Sequence, residues 1–187
     1  DDTCATGIGF INDGENFTNG ASGIACLSGT GDTEGSLAFI IRPNGVVATE
    51  AMRIDSSGKV GIGTTSPSTE LHLSTSTQGD IVTFESTDAG ANTGPNLLLY
   101  RNSSSPADDD AIGAIRFRGR NDNSQDVDYA EIEVFIDDAS DGTEDGNLKF
   151  FTNKAGTEVS RMGLASSAIV FNQDSVDVDF RVESNGD

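Results

Sequence analysis

The sequence predicts an all-β protein assembled from repeated short-strand modules. Three observations predict it. Apolar and polar residues alternate with a period of two along several runs, Gly- and Pro-containing turn signals separate those runs, and no eleven-residue window carries an apolar stripe at helical spacing.

The alternation is clearest near the end of the chain. Val176, Val178, Phe180 and Val182 interleave with Asp177, Asp179, Arg181 and Glu183, the pattern of a strand with one face covered and one in water. Ile115 and Phe117 alternate with Arg116 and Arg118. Ile132, Val134 and Ile136 alternate with Glu131, Glu133 and, less cleanly, Phe135. Leu71 and Leu73 flank His72. Between the runs stand Asn44-Gly45, Ser57-Gly58, Ser66-Pro67, Asp141-Gly142 and Asn185-Gly186, dipeptides that reverse a chain.

One hairpin follows in detail. Residues 112–118 and 129–136 are joined by the polar stretch 121–128. Antiparallel pairing sets Ile115 and Phe117 on one face with Ile132 and Val134, and Arg116 and Arg118 on the other with Glu131 and Glu133. Opposite charges across strands contribute roughly 0.2–1 kcal/mol per pair and help set register.

The chain also resembles itself. In residues 31–54 and 142–164, Gly35, Leu37 and Phe39 align with Gly146, Leu148 and Phe150, and Met52 aligns with Met162 after a one-residue gap. Ser56-Ser57 followed by Val60 mirrors Ser166-Ser167 followed by Val170. Each copy reads strand, Gly turn, strand, turn, strand. Units that cannot bury a face alone must stack on neighbours or on other chains. The expected organisation is an N-terminal β segment with both cysteines (1–34), a first strand-turn module (35–93), a hairpin or meander module (94–145) and a second strand-turn module (146–187). That last module reads as incomplete, and the chain, which begins at Asp1 without Met, reads as processed or as part of a longer protein.

Composition agrees with thin, stacked elements. The apolar fraction is 35% of 187 residues, with 22 glycines, no Trp and two Tyr, which is sparse for a thick core. A net charge of −20 repels phosphate backbones and anionic membrane surfaces, so neither nucleic-acid binding nor membrane insertion is expected. The only cysteines, Cys4 and Cys26, are a candidate disulfide, which would imply an oxidising compartment.

The run Met52-Arg53-Ile54-Asp55-Ser56-Ser57-Gly58-Lys59-Val60-Gly61-Ile62-Gly63-Thr64-Thr65-Ser66-Pro67 resembles the R-I-D-S-S-G-x-V-G-I-G-T-x-x-P element of phage tail-fibre and fibrous adhesin-like repeats, including marine cyanophage-type structural repeats. Residues 94–146 resemble a module of the same structural proteins, whereas residues 1–30 show no such resemblance. The resemblance implies a homotrimer of parallel, intertwined chains, built as an antiparallel meander or β-prism or as a triple-stranded β-helix-like fibre, with glycines where three backbones crowd. It implies a virion location, in a tail fibre or appendage, and host attachment by reach and presentation, with a host surface glycan as a possible partner. No terminal knob or self-cleaving chaperone domain is recognisable. Independently of any family, glycines on both sides of Ile62 permit a bend or a close backbone approach while Ile62 points inward.

Two other readings compete. One is a subunit of a secreted bacterial surface filament or adhesin, assembled by adding a strand from one subunit to the next. The other is a polysaccharide-cleaving tailspike, since paired carboxylates abound; the lack of aromatic platforms weighs against it. No catalytic residue is assigned. His72, the sole histidine, sits on an alternating strand near Glu70, and no nucleophile elbow, phosphate loop or metal-spaced Cys/His set occurs. No cofactor is expected, calcium being the one candidate ion. Its candidate ligands are Asp122, Asp126, Asp128, Asp137, Asp138 and Asp141, with Asp108–Asp110, Glu144 and Asp145 nearby in sequence, although none follows EF-hand spacing. Arg116, Arg118 and Arg120 can meet acidic host sugars, or more simply pair with Glu131 and Glu133.

Overall fold

The structure is a computed structural model. It describes residues 22–28, 35–42, 47–91 and 93–171, together with the backbone of 4–10. The strand expected over 176–182, the Asn44-Gly45 and Asn185-Gly186 turns and the Cys4 side chain lie outside the described residues, and the candidate Cys4–Cys26 bridge with them. Cys26 itself is exposed.

The protein is all-β, with no helix among the described residues. It divides into two units, 1–90 and 91–187, each containing one sheet. The first sheet is formed by β1 (Cys4–Phe10), β2 (Ser22–Ser28), β3 (Gly35–Ile41), β4 (Thr49–Ile54), β5 (Val60–Ile62) and β6 (Leu71–Leu73), adjacent in chain order. All neighbours are antiparallel except β5 and β6. The second sheet is an antiparallel meander of β7 (Ala111–Arg120), β8 (Asp126–Asp138), β9 (Asp145–Lys154), β10 (Thr157–Leu164) and β11 (Ile169–Phe171). Segments 1–34 and 35–93 thus share strands of one sheet, and segments 94–145 and 146–187 share the other.

The two sheets repeat one register. Phe39 faces Met52 and Leu37 faces Ile54, while Phe150 faces Met162 and Leu148 faces Leu164. In each hairpin an extra residue precedes the methionine, Ala51 in one and Arg161 in the other, where the pairing shifts. Met52 in turn faces Ile62, and Met162 faces Phe171. The strand before each hairpin supplies Ile24 opposite Phe39 and Ile132 opposite Phe150.

The loop around Gly58 is held by Asp55. One carboxylate oxygen accepts from the Ser57 and Lys59 amides, both at 2.9 Å, while Gly58, at φ 85°, turns the chain. The two glycines around Ile62 serve close approaches within the chain itself. A side chain on Gly61 would stand 2.6 Å from the Thr64 carbonyl oxygen, and one on Gly63 (φ +72°) would collide with the Ser74 carbonyl oxygen. At these two positions the close approach is supplied by residues 64–74 of the same chain. Ile62 stands opposite Met52 and beside Leu73 and stays 41% exposed.

Candidate functional site: two uncovered apolar faces

Alternation places one set of side chains on each side of a sheet, and cross-strand partners share a side. On the first sheet this aligns Ile24 and Cys26, Leu37 and Phe39, Met52 and Ile54, Val60 and Ile62, and Leu71 and Leu73. The opposite side carries the row Ala25, Ala38, Arg53, Gly61 and His72. Here the small residues are well covered: Ala25 is 1% and Ala38 0% exposed, and Pro67 is buried against Gly61. Arg53 reaches Glu50 through two contacts of 2.7 Å.

On the second sheet one side holds Ile115, Phe117, Ala130, Ile132, Val134, Leu148, Phe150, Met162, Leu164, Ile169 and Phe171. No acid stands among them. The other side carries the charges. Arg116 lies 2.9 Å from Glu131, Arg118 lies 2.6 Å from Asp128 and Arg120 lies 3.3 Å from Asp126, each pair directly across the β7–β8 hairpin. Glu131, 6% exposed, is covered by this row, with Arg116 Nε 2.9 Å from its Oε1.

The expected face assignment of this hairpin therefore holds, but of the three arginines only Arg116 meets an expected glutamate, Arg118 and Arg120 meeting Asp128 and Asp126. An extra residue in β8, Tyr129, shifts the register between Phe117 and Arg118, so Arg118 meets Asp128. Glu133 lies between Ala114 and Lys149. Burial, and next the Glu131 charge, push its carboxyl above the usual range. Lys149 in turn sits 4.7 Å from the centre of the Phe135 ring.

The acidic residues considered for calcium are spread among local tasks. Asp126 and Asp128 are the partners of Arg120 and Arg118. Asp138 accepts from the Ser140 amide at 2.8 Å and the Thr143 hydroxyl at 3.3 Å, which holds its carboxyl below the usual range. Asp122 and Asp141 lie exposed in turns, and Asp137 is half-buried in β8. Asp108 accepts from the Ala139 amide, and Asp110 pairs with Arg101. Among the described residues no three acid side chains converge on a common point. His72 Nδ1 accepts a 3.3 Å hydrogen bond from the Ser68 amide and so ties down the loop before β6.

What stands out is the exposure of apolar residues. Among the described residues the buried hydrophobic side chains are Ala25, Ala38 and Val159, and no large one is fully buried. Phe117 is 55% exposed and Phe171 51%. Sequence reading missed one further group, Leu97, Leu98, Leu99 and Tyr100, whose signal was three consecutive leucines just after Pro95.

No protein-family model matches the sequence, and no curated protein matches it. Solved structures do. The carboxy-terminal domain of the bacteriophage T5 L-shaped tail fibre with its intra-molecular chaperone domain superposes with a TM-score of 0.69 at 12% identity, covering 100% of this chain and 61% of that one. The present chain thus spans less than two thirds of that protein's length. The same tail-fibre domain in a second structure gives a TM-score of 0.63 at 10% identity, covering 100% of this chain and 89% of that one. At such identities the likeness establishes a shared fold.

Proposed function

We propose that this chain is a structural segment of an extracellular fibre of the phage tail-fibre kind, that it works as a homotrimer, and that it serves host attachment by reach and presentation rather than by catalysis. One observation carries the reading: each sheet presents a continuous apolar face whose large side chains stay partly exposed among the described residues, and on the second sheet the acids stand on the opposite side.

The magnitudes allow association. Transferring one large apolar side chain from water gains about 1.5–3 kcal/mol, and association costs about 4–15 kcal/mol. With about half of Ile115, Phe117, Ile169 and Phe171 still exposed, covering them gains roughly 3–6 kcal/mol per copy, of the same order as that cost. Three copies is the number that the sequence resemblance implies, and the tail-fibre fold supports a virion location. The arginines of β7 are occupied by carboxylates of the same hairpin, and His72 by its own loop, which supports a mechanical role over a chemical one.

The test is the mass in solution of the full chain by light scattering. A trimer across micromolar concentrations is expected, with Phe150→Asp reducing it to single chains. A wild-type chain that stays monomeric while folded would overturn the proposal.

A further inference from the structure

Residues 74–110 include no strand among those described, although they hold two runs of strand-forming residues, Ile81–Phe84 and Leu97–Tyr100. The second run is the more informative. Leu97 is 64%, Leu98 79%, Leu99 47% and Tyr100 73% exposed. A strand apolar on alternate positions covers one sheet face, but a run apolar at every position is suited to being covered on both sides. In extended backbone Leu97 and Leu99 point one way and Leu98 and Tyr100 the other.

The chain itself supplies only part of one side. Leu99 lies 3.5 Å from where a side chain on Gly113 would begin, so this segment passes the start of β7, and Arg101 donates to the Ala111 carbonyl at 2.9 Å. No backbone–backbone hydrogen bond reaches residues 96–100 among those described. An apolar segment with open amides and carbonyls is a strand without a sheet.

The charge pattern says what completes it. Copies of a chain with net charge −20 repel each other, and they approach best where no acid stands. Residues 89–107 contain neither Asp nor Glu, and their one charge is Arg101. It is the longest acid-free stretch of the chain.

We infer that Asn96–Tyr100 is an inter-chain strand: it pairs through its backbone with a second copy of this chain and buries Leu98 and Tyr100 against that copy. The inference rests on the self-association proposed above and names the segment that carries it.

Hydrogen exchange on the full assembled chain tests it. The amides of 97–100 are expected to exchange at least a hundredfold more slowly than those of the exposed Asn102 and Ser104, and to lose this protection when the assembly is dissociated by dilution. Leu98→Asp is expected to weaken assembly while leaving the β-sheet circular-dichroism signal unchanged. An assembled wild-type chain whose 97–100 amides exchange as fast as those of Asn102 and Ser104 overturns this inference and leaves self-association standing. A chain that never assembles removes both. Should Leu98→Asp fail to fold, the wild-type exchange measurement decides alone.

Discussion

Arg118 grips Asp128 with two parallel hydrogen bonds, Nε to Oδ1 at 2.6 Å and Nη2 to Oδ2 at 2.8 Å, although an unbroken register from Arg116 opposite Glu131 would set it opposite Tyr129. The cause is one extra residue, Tyr129, which shifts everything on its N-terminal side of β8 by one position against β7. The fork of a guanidinium matches a carboxylate in this geometry, and the pair holds the Asp128 carboxyl below its usual range. Both groups face water, so this pair sets register more than it adds stability.

A double-mutant cycle on Arg118→Ala and Asp128→Ala should therefore yield a small favourable coupling in dilute buffer. At about 1 M salt, where the screening length is about 3 Å, the coupling should vanish. A coupling that survives high salt would mean that the contact is held by packing instead. Glu133→Ala combined with Arg118→Ala should show a much weaker coupling than Asp128→Ala does.

Glycine substitutions should separate backbone strain from crowding. Gly58 and Gly63 both have positive φ, but a side chain at Gly58 meets open space, whereas one at Gly63 meets the Ser74 carbonyl. Gly58→Ala should cost about 1–2 kcal/mol, the penalty of a left-handed residue. Gly63→Ala should cost more, on the order of 3–4 kcal/mol or a failure to fold, because a backbone carbonyl must also move. Denaturant midpoints of the two variants would rank them, and equal costs would refute the crowding argument.

Asp55→Ala removes the oxygen that satisfies two amides of the turn between β4 and β5. Loss of such a cap should destabilise by about 1–2 kcal/mol. Asp55→Asn, which keeps an acceptor oxygen, should recover most of it. Thermal unfolding of the three proteins side by side measures the difference.

Glu133 gives a pH signature. Its carboxyl binds a proton more tightly in the folded state, because burial and the neighbouring Glu131 penalise its charge. From this group, stability is greatest when the pH lies below the unfolded glutamate value of about 4.3, and it falls as pH rises through the window between that value and the raised folded one. Asp128 and Asp138 act in the opposite sense: their folded carboxyls titrate lower, so the stability they add is present above the ordinary aspartate range and is lost as pH falls through the folded values. Glu133→Gln should thus raise the melting temperature at pH 7 and leave it nearly unchanged at pH 3.5. A variant less stable than wild type at pH 7 would show that the charge of Glu133 is needed rather than tolerated.

Much of this architecture is legible along the chain, because a strand's two faces are written in its alternation. Ile115 and Phe117 against Arg116 and Arg118, the turns at Ser57-Gly58 and Asp141-Gly142, and the matched spacing of Leu37-Phe39-Met52 with Leu148-Phe150-Met162 all follow from a period of two and from residues that tolerate reversal. What the alternation cannot carry is the residue that breaks it. The extra positions at Ala51, Tyr129 and Arg161 depend on how the neighbouring strand is offset, and each moves every partner beyond it by one.

By itself the sequence determined that the chain is built of strands, which side of each strand is apolar, and that Gly61 and Gly63 stand where backbone comes close. Tertiary structure alone decided which backbone that is, which carboxylate each arginine meets, and that the apolar side chains of both faces stay partly open to water among the described residues. The reason is physical: a pattern of side chains is local, whereas coverage depends on what the rest of the chain can reach, and the described residues lay little across these faces.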